Sequence, residues 1–484
     1  MMTASRPTTS RQRLILIGIL FFHSVNTYMD RACIASAVDV MKRDLSLTAE
    51  IMGLVLGIFA VGYALFQVPS GWFADRLGPR KALTIVVAFW SLFTALTGLA
   101  RNAFQLLVLR FLFGIGEAGA FPGAAAAFFR WLPVNERGLA HGISFSGSRL
   151  GAAFSLFLMP WLIYQIGWRW TFALNGLVGL IWAVVWLVWF RDNPEDNSRV
   201  SQAELDYIRQ GRESDSSGGV RASFAAIFTS VNMSLAMVQY FASNVTFFIS
   251  LTWLPSYLKN QWPDDPQAVY WSALPLVVAA MANWTAGGMV MRLHDLGFPV
   301  GSRRITAMVG FSLAVAGLML ATRTDNLYWF VACFSLATFG VDMTLSPSWA
   351  FCNDIGGSHS GAVSGSMNMV GNIGAALSAI LFPFFQDAQT GSANAFFALA
   401  AGLNVVAIIP WMFMNPQRSS EKKLTAAAMR VRFAAMLTAL FLVTGGAVVY
   451  QIYRSVRREP PAVQEEVPER VNEISDESPS AARR

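Results

Sequence analysis

The chain has 484 residues, of which 54% are hydrophobic and 13% are charged. An average soluble domain contains about 25% charged residues, so this chain has too few of them to cover a surface that faces water. The composition therefore excludes a soluble enzyme and a disordered scaffold. The net charge of +7 does not indicate nucleic-acid binding, because the basic residues lie between apolar runs, as they do in membrane proteins.

Twelve apolar runs follow one another along the chain, each of roughly the 20-residue length that crosses a bilayer. The first six comprise residues 14–38, 51–74, 82–100, 103–129, 138–164 and 168–190. The second six comprise residues 233–258, 268–293, 305–322, 328–352, 361–385 and 395–414. The pattern predicts an all-α integral membrane protein with two six-helix halves, 14–190 and 223–415, joined by a polar linker, 191–222.

Charge and composition predict the orientation of these halves and the nature of the segments outside them. Lys and Arg are concentrated in residues 1–13, in the linker and in most loops on the same side, which predicts a cytoplasmic N-terminus and linker in the inner membrane. After the basic residues that follow the twelfth run, segment 416–453 contains a thirteenth apolar run, 433–453, which is long enough to span. Its flanking charges do not orient it. The Pro- and Glu-rich segment 454–484 is predicted to be disordered.

An internal repeat relates the two halves. Residues 138–160 align with 361–383 at a constant offset of 223, with eight identical residues. Runs five and eleven are therefore predicted to be equivalent helices of a repeated unit, as in many transporters. A weaker echo places Glu117 five residues before a proline in run four and Asp342 five residues before a proline in run ten.

Five charged residues lie well inside the apolar runs of the first half. They are Asp30, Arg31, Arg110, Glu117 and Arg149. Each charge costs about 2.5–3.5 kcal/mol in a membrane, so such residues are candidates for function. An arginine fork suits a carboxylate, and a buried carboxyl group can take up and release a proton. These charged residues together favour symport of an anion with protons, although Arg110 and Arg149 also fit structural roles.

The second half contributes neutral polar side chains that can bind hydroxyl groups. They are Gln239, Tyr240, Asn244, Asn368 and Asn372. A charged first half and a neutral second half together suit a sugar acid, whose many polar groups all need partners. Asp342 is the exception in this half, and it fits either a third titratable site or a structural acid.

The loop after run two carries a motif of glycine and charged residues. Gly71, Asp75, Arg76, Gly78 and Arg80 occupy the spacing of a motif of the major facilitator superfamily, which this chain resembles. Arg110, at the start of a second similar motif in run four, is assigned to the same gate. The resemblance implies two halves related by a pseudo-two-fold axis and a cytoplasmic gate, in which Asp75 either pairs with Arg76 or caps a neighbouring helix.

Four further stretches resemble the anion:cation symporter family, which includes hexuronate, galactonate, glucarate and phthalate permeases. They read NTYMDR, RFLFGIGEAGAFPG, FFISLTWLPSYL and GSMNMVGNIGAALS. In galactonate-type members, the residues matching Asp30 and Glu117 bind protons, and the residue matching Arg31 binds the substrate carboxylate. The resemblance also places Tyr63 and position 149 in the site. Galactonate-type members have Gln where this chain has Arg149, and two arginines in one cavity favour a dianion.

The sequence thus predicts a transporter that imports an organic anion by proton symport with alternating access. We expect a sugar acid of the hexuronate, aldonate or glucarate type, a monomeric protein, and no cofactor, metal site or catalytic residue. An aromatic carboxylate of the phthalate type and coupling to sodium are the alternatives. A membrane sensor with a transporter-like fold is less favoured, and four histidines without a nucleophile–base pair disfavour a membrane enzyme.

Overall fold

The computed structural model describes residues 11–213, 230–387 and 390–417, which form fifteen α-helices and, within these ranges, no strand. The first half and the linker contain α1 (Gln12–Asp44), α2 (Ala49–Leu77), α3 (Pro79–Thr97), α4 (Ala103–Glu117), α5 (Ala120–Trp131), α6 (Val134–Trp189) and α7 (Gln202–Glu213). The second half contains α8 (Val231–Thr252), α9 (Leu254–Gln261), α10 (Ala273–Asp295), α11 (Pro299–Ala321), α12 (Leu327–Met343), α13 (Leu345–Gly356), α14 (Ser360–Leu381) and α15 (Asn394–Phe413). The predicted run 433–453 and the tail lie outside the described residues.

The helices account for the twelve predicted crossings. Within the described ranges, nine helical stretches are long and apolar enough to span a membrane. Two of them, Val134–Trp189 and Leu327–Phe385, have 56 and 59 residues and cross twice. The first turns at Gly167, whose φ of 77° favours glycine, and the second turns through the short 3-10 helix Gly357–His359. Helix α1, with 33 residues and a length of about 50 Å, is the remaining crossing.

Three crossings that the sequence predicts as continuous runs are broken in the structure. The breaks separate α4 from α5, α8 from α9 and α12 from α13, and a proline lies in the first turn of each following helix. Proline has no N–H, so it ends a helix that precedes it but is tolerated in a first turn. Glu117 is therefore the last residue of α4, and Asp342 is the last but one of α12. The weak sequence echo thus corresponds to two acids at equivalent helix breaks.

The two halves pack through crossed helix pairs. Helix α2 packs on α14, and α6 packs on α10. The second crossing of each half therefore lies against the fifth crossing of the other half, which is the arrangement that a pseudo-two-fold axis produces.

Glycines of the internal repeat perform the same packing role in both halves. Gly142 of α6 lies against a backbone carbonyl of α10, and its repeat partner Gly365 lies against one of α2. Similarly, Gly151 lies against α1 and Gly374 against α8, the first crossing of each half. A Cβ atom at any of these positions would clash with main chain. The repeat found in the sequence is therefore confirmed as a repeat of helix contacts.

The linker helix α7 is tied to the start of the bundle. Glu204 of α7 accepts hydrogen bonds from the backbone N–H groups of Gln12 and Arg13, which open α1. The Arg13 guanidinium also pairs with Glu204 and with Glu136 at the start of α6, at 3.1 and 2.8 Å. We call this side of the bundle, where α1 and α6 begin and α2 ends, the linker face.

Candidate functional site

Arg31 and Glu117 form a buried ion pair inside the first half. Arg31 Nε lies 2.9 Å from Glu117 Oε1, and the Glu117 side chain has no exposed surface. The Arg31 guanidinium also lies over the ring of Tyr63, 4.5 Å from its centroid. The carboxylate of Glu117 therefore compensates the charge of Arg31, and the aromatic ring holds the guanidinium at one side of the cavity described below.

Asp30 points in a different direction from its neighbour Arg31. Its Oδ2 accepts hydrogen bonds from Trp90 Nε1 at 3.1 Å and from Asn26 Nδ2 at 3.3 Å. Its Oδ1 has no hydrogen-bond partner among the described residues. Asp30 thus lies behind α1, against α3, because successive residues of a helix point about 100° apart.

Arg149 forms a second buried ion pair, which joins the two halves. Arg149 Nε of α6 lies 2.7 Å from Oδ1 of Asp342 in α12. The same oxygen accepts a hydrogen bond from Asn283 Nδ2 of α10 at 2.9 Å, and the Tyr28 hydroxyl accepts one from Arg149 Nη1 at 3.2 Å. The guanidinium carbon lies 3.5 Å from the ring centroid of Phe247. The sequence left the role of Asp342 open, and the structure identifies its partner.

A small cavity lies between the halves, and both arginines face it. Seven of the eight predicted substrate-binding residues line it, namely Arg31, Tyr63, Arg149, Tyr240, Asn244, Asn368 and Asn372. Its volume is about 30 Å³, which is room for about one water molecule and too little for an organic anion. The cavity of this conformation is therefore smaller than the ligand that its lining suits.

The eighth predicted binding residue, Gln239, does not line the cavity. Its side chain is fully buried inside the second half, where it donates to the Ala236 carbonyl and accepts from Ser348 Oγ. The prediction that Gln239 lines the binding cavity is wrong, because the next residue of the helix, Tyr240, faces the cavity instead.

Several cavity residues were missed by the sequence reasoning. They are Tyr28, Phe121, Phe145, Ser243, Phe247, Phe248 and Leu345. Most are aromatic, and composition alone did not separate them from rings that face lipid. Tyr28 carried a usable signal, because it lies three residues before Arg31, about one helical turn.

The amide side chains also connect the halves. Asn368 Nδ2 of α14 donates to Tyr63 Oη at 3.3 Å and to Gln67 Oε1 at 2.9 Å, both in α2. One turn further along, Asn372 Nδ2 donates to the backbone carbonyl of Asn368 at 2.8 Å. Asn244 Nδ2 similarly donates to the carbonyl of Tyr240 at 2.8 Å. Asn372 and Asn244 each hold a further N–H with which to bind a polar ligand, whereas Asn368 already donates twice and offers its carbonyl oxygen.

The glycine and charged-residue motif lies at the linker face, where α2 meets α14. Asp75 Oδ1 and Oδ2 accept hydrogen bonds, both of 2.8 Å, from the backbone N–H groups of Gly361 and Ala362 in the first turn of α14. Gly71, one turn earlier, lets the two backbones touch. Of the two contacts considered for Asp75, the structure therefore shows the helix cap, since the Arg76 guanidinium lies over the Trp72 ring instead.

The rest of the motif holds the turn between α2 and α3. Gly78 has a φ of 85°, and any side chain there would strike Asp192. Asp192 in turn accepts a hydrogen bond from the backbone N–H of Arg80 at 2.9 Å. The Arg80 guanidinium donates to the carbonyl of Leu187 at 2.8 and 3.0 Å. The motif thus joins the start of α3 to the end of α6 within the first half.

Arg110 does not belong to this group, and its assignment to the linker-face gate is wrong in position. Helix α4 begins on the opposite face of the bundle, because α3 starts at the linker face and crosses before it. Arg110 lies two turns into α4 and is buried, with its guanidinium over the rings of Phe59 and Phe113 at 5.1 and 4.5 Å.

Further polar contacts join the halves at the linker face. Arg137 of α6 pairs with Asp354 of α13 at 3.3 Å, and Arg303 of α11 pairs with the same carboxylate at 3.0 Å. Arg303 also donates to the carbonyl of Val134, and Ser346 Oγ donates to the carbonyl of Gly138. Together with the Asp75 cap, these contacts join the two halves at the linker face.

The fold and these motifs have counterparts among known proteins. A family model described as Major Facilitator Superfamily matches residues 20–379. The chain belongs to this superfamily. The predicted family and fold are thereby confirmed, and the protein is a multi-pass membrane protein.

The curated relatives that match most of this chain are named as transporters of organic acids. The chain is 32% identical to a probable sulfoacetate transporter of Cupriavidus necator, and the match covers 84% of this chain and 94% of the relative. It is 30% identical to a D-galactonate transporter of Escherichia coli, over 77% and 88% of the two chains. It is 29% identical to a probable galactarate/D-glucarate transporter of Bacillus subtilis, over 83% and 91%.

Solved structures agree on the fold. A proton:xylose symporter superposes with a TM-score of 0.65 at 14% identity, over 83% of this chain and 96% of that protein. A human organic anion transporter superposes with a TM-score of 0.61 at 14% identity, over 84% and 100%. At this identity the likeness concerns the fold alone.

Within the described residues, no group of three or more His, Cys, Asp or Glu side chains is placed to hold a metal ion.

Proposed function

We propose that this protein imports an organic anion, of the sugar-acid class, together with protons. The observation that carries the proposal is the pair of buried guanidinium groups, Arg31 and Arg149, which face one cavity between the two halves. Each is matched by a buried carboxylate, Glu117 or Asp342. A substrate anion can take the place of these carboxylates.

The number of arginines supports a substrate with two anionic groups. A guanidinium binds a planar anionic group through paired N–H donors, and two of them suit a dicarboxylate or a sulfonate with a carboxylate. The names of the relatives include dianions, glucarate and sulfoacetate, alongside the monoanion galactonate. The amides of Asn244, Asn368 and Asn372 supply neutral partners for hydroxyl groups.

An aromatic carboxylate is the second candidate, and one observation favours it. The cavity wall includes four phenylalanine rings, from Phe121, Phe145, Phe247 and Phe248. Such a wall suits an aromatic ring, but aromatic side chains also pack against the apolar faces of sugars. The amides of the second half therefore decide between the two classes.

The carboxyl groups support coupling to protons. Asp30 and Glu117 each have one oxygen without a hydrogen-bond partner among the described residues, Oδ1 and Oε2 respectively. A buried carboxylate with an unsatisfied oxygen is costly while it is charged. When an anion pairs with Arg31, Glu117 loses its counter-ion, and a proton restores neutrality. We assign the coupling protons to Glu117 and Asp30.

The charges of the loops support an orientation of the protein in the membrane. The positive-inside bias places the linker face in the cytoplasm of a cell bounded by an inner membrane. The contacts of Asp75 and Asp354 then close the cytoplasmic side, and alternating access requires them to open. We propose that the monomer is the transporting unit.

Competition binding to the purified protein tests the substrate class. The probes are D-glucarate, D-galactonate, sulfoacetate and phthalate. For a sugar acid, Asn368→Ala and Asn372→Ala should each weaken binding by about 1–3 kcal/mol, the effect of one unpaired buried polar group. Gln239→Ala is the matched control, because it removes a buried amide that does not face the cavity, and it should leave the order of the four affinities unchanged.

The result that would contradict the sugar-acid class is equally specific. If phthalate binds most tightly and both cavity amide variants retain wild-type affinity, the substrate is an aromatic acid. If none of the four anions binds, the assignment of the two arginines to an anion is wrong.

A further inference from the structure

We propose that Asp342 is a proton-binding residue of the second half that alternates with the substrate as the counter-ion of Arg149. The inference rests on the proposed function, because it concerns the same cavity and the same coupling ion. It chooses between the two roles that the sequence left open for Asp342, and it links substrate binding in one half to protonation in the other.

The position of Asp342 motivates the proposal. Its carboxylate lies at the break between α12 and α13, fully buried, and its contact with Arg149 of α6 crosses between the halves. Oδ1 accepts both described hydrogen bonds, from Arg149 and Asn283, while Oδ2 has no partner among the described residues. The ion pair therefore holds the halves together through one carboxylate oxygen.

The surroundings of Asp342 provide one positive charge. Arg149 of α6 and the amide of Asn283 from α10 face the carboxylate directly. The hydroxyl of Tyr28 from α1 lies on the far side of the guanidinium, and Tyr240 of α8 lines the same cavity. The charged residues of α11 and α13, namely Arg303, Arg304 and Asp354, lie at their linker-face ends. A second anion near Arg149 would therefore leave one negative charge without compensation.

Proton uptake resolves this imbalance. Before binding, the site holds the guanidinium and the Asp342 carboxylate, with no net charge. When a carboxylate or sulfonate of the substrate pairs with Arg149, Asp342 gains one proton from the water on the side to which the cavity is open. The pair Arg149–substrate and the neutral Asp342 again carry no net charge, and release of the anion reverses both steps.

This exchange repeats the arrangement of the first half. Arg31 is paired with Glu117, which lies at the equivalent helix break. A dianion that engages both arginines would free both acids, and each would take up one proton. The neutralised Asp342 no longer ties α12 to α6, so the same event loosens the contact between the halves.

Isothermal titration calorimetry tests the proposal on the purified full chain. Titrations with D-glucarate and sulfoacetate at one pH, in two buffers of different protonation enthalpy, give the number of protons taken up for each anion bound. Asp342→Asn keeps the shape and the acceptor oxygen of the side chain but has no site for the proton. We expect it to take up one proton fewer than wild type and to bind the anion at least as tightly, because no carboxylate competes for Arg149.

One control variant and one alternative variant accompany this measurement. Asp354→Asn removes the acid of another ion pair between the halves, at the linker face, and it should leave the proton number unchanged. If Asp342→Asn does not fold, the double variant Arg149→Gln/Asp342→Asn removes both charges from the site and should also take up one proton fewer than wild type.

The outcomes separate this inference from the proposed function. Proton uptake that is the same in wild type and in the Asp342 variants would overturn the role of Asp342 alone. Wild-type protein that binds either anion without taking up protons would overturn proton symport, and protein that binds neither would overturn the dianion class. In both of those cases the role of Asp342 falls as well.

Discussion

The two arginines of the cavity differ in where their counter-ions lie. Arg31 is compensated within its own half by Glu117, whereas Arg149 is compensated across the halves by Asp342. Movement of one half against the other therefore leaves the first pair intact. The second pair must be broken or rearranged whenever the halves move apart at this depth.

Replacing Arg31 with lysine tests whether the planar fork matters. Arg31→Lys retains the charge but loses the paired N–H donors and the stacking on Tyr63. We expect the affinity for the bound anion to fall more than tenfold, or about 1.4 kcal/mol, as measured by calorimetry. Arg101→Lys, which changes an exposed arginine, is the control. Equal affinities of wild type and Arg31→Lys would show that Arg31 does not bind the anion directly.

At this scale the sequence predicted which charged residues are buried in the bundle, but neither their partners nor the direction in which each side chain points. The energetic cost of membrane charges singled out Asp30, Arg31, Glu117 and Arg149. The structure places the two arginines in the cavity wall and Glu117 against Arg31, whereas Asp30 lies against α3. Gln239 was predicted wrongly, because neighbouring polar residues of one helix point to different sides. The partner of Asp342 was unpredictable, because its contact with Arg149 depends on how two distant helices cross.

The helices α2 and α14 form the clearest gating element. Gly71 allows their backbones to touch, and Asp75 caps the first turn of α14 with two hydrogen bonds. A carboxylate at a helix N-terminus satisfies unpaired N–H groups and interacts favourably with the helix dipole. This contact joins the halves at the linker face, and we propose that its strength sets how readily that face opens.

Weakening this cap should open the linker face. Asp75→Asn removes the charge at the start of α14, a change of about 0.3–1 kcal/mol. Spin labels at Lys81 and Leu296, which are exposed on the two halves at this face, report the separation by pulsed electron resonance. We expect a larger population of long distances in Asp75→Asn than in wild type.

Arg76→Gln is the matched control for this measurement, since Arg76 lies over Trp72 and not against α14. Its distance distribution should match that of wild type. If Asp75→Asn also matches wild type, the cap does not hold the face closed.

Hydrophobicity predicted the helices well, and helix breaks poorly. Apolar length is enough to find a crossing, so all twelve were located. The breaks after Glu117, Thr252 and Met343 depend on a proline whose effect an apolar window does not register. Arg110 was assigned to the linker face because it belongs to a motif that resembles one of the superfamily. The order of the crossings, however, places the start of α4 on the face opposite Asp75.

Over the whole molecule, the two halves share a framework but differ in chemistry. The glycines of the repeat, such as Gly151 and Gly374, make equivalent contacts in each half. Arg149 and its repeat partner Asn372 line the same cavity with different groups. The framework was visible in the sequence as a constant offset, since packing restricts these positions to small residues. The pairing between the halves was not, because it depends on the conformation in which they meet.

Uphill transport by the reconstituted protein is the most direct test of proton-coupled anion transport. Proteoliposomes that contain the full chain are given an inward proton gradient, without sodium, and radiolabelled D-glucarate or sulfoacetate. We predict that wild type accumulates the anion above its external concentration. The triple variant Asp30→Asn/Glu117→Gln/Asp342→Asn, which lacks every proposed proton site, should lose this accumulation, while Glu117→Gln or Asp30→Asn alone should retain counterflow exchange, which requires no net proton movement. Accumulation that requires sodium, or that persists in the triple variant under the proton gradient, would contradict the account.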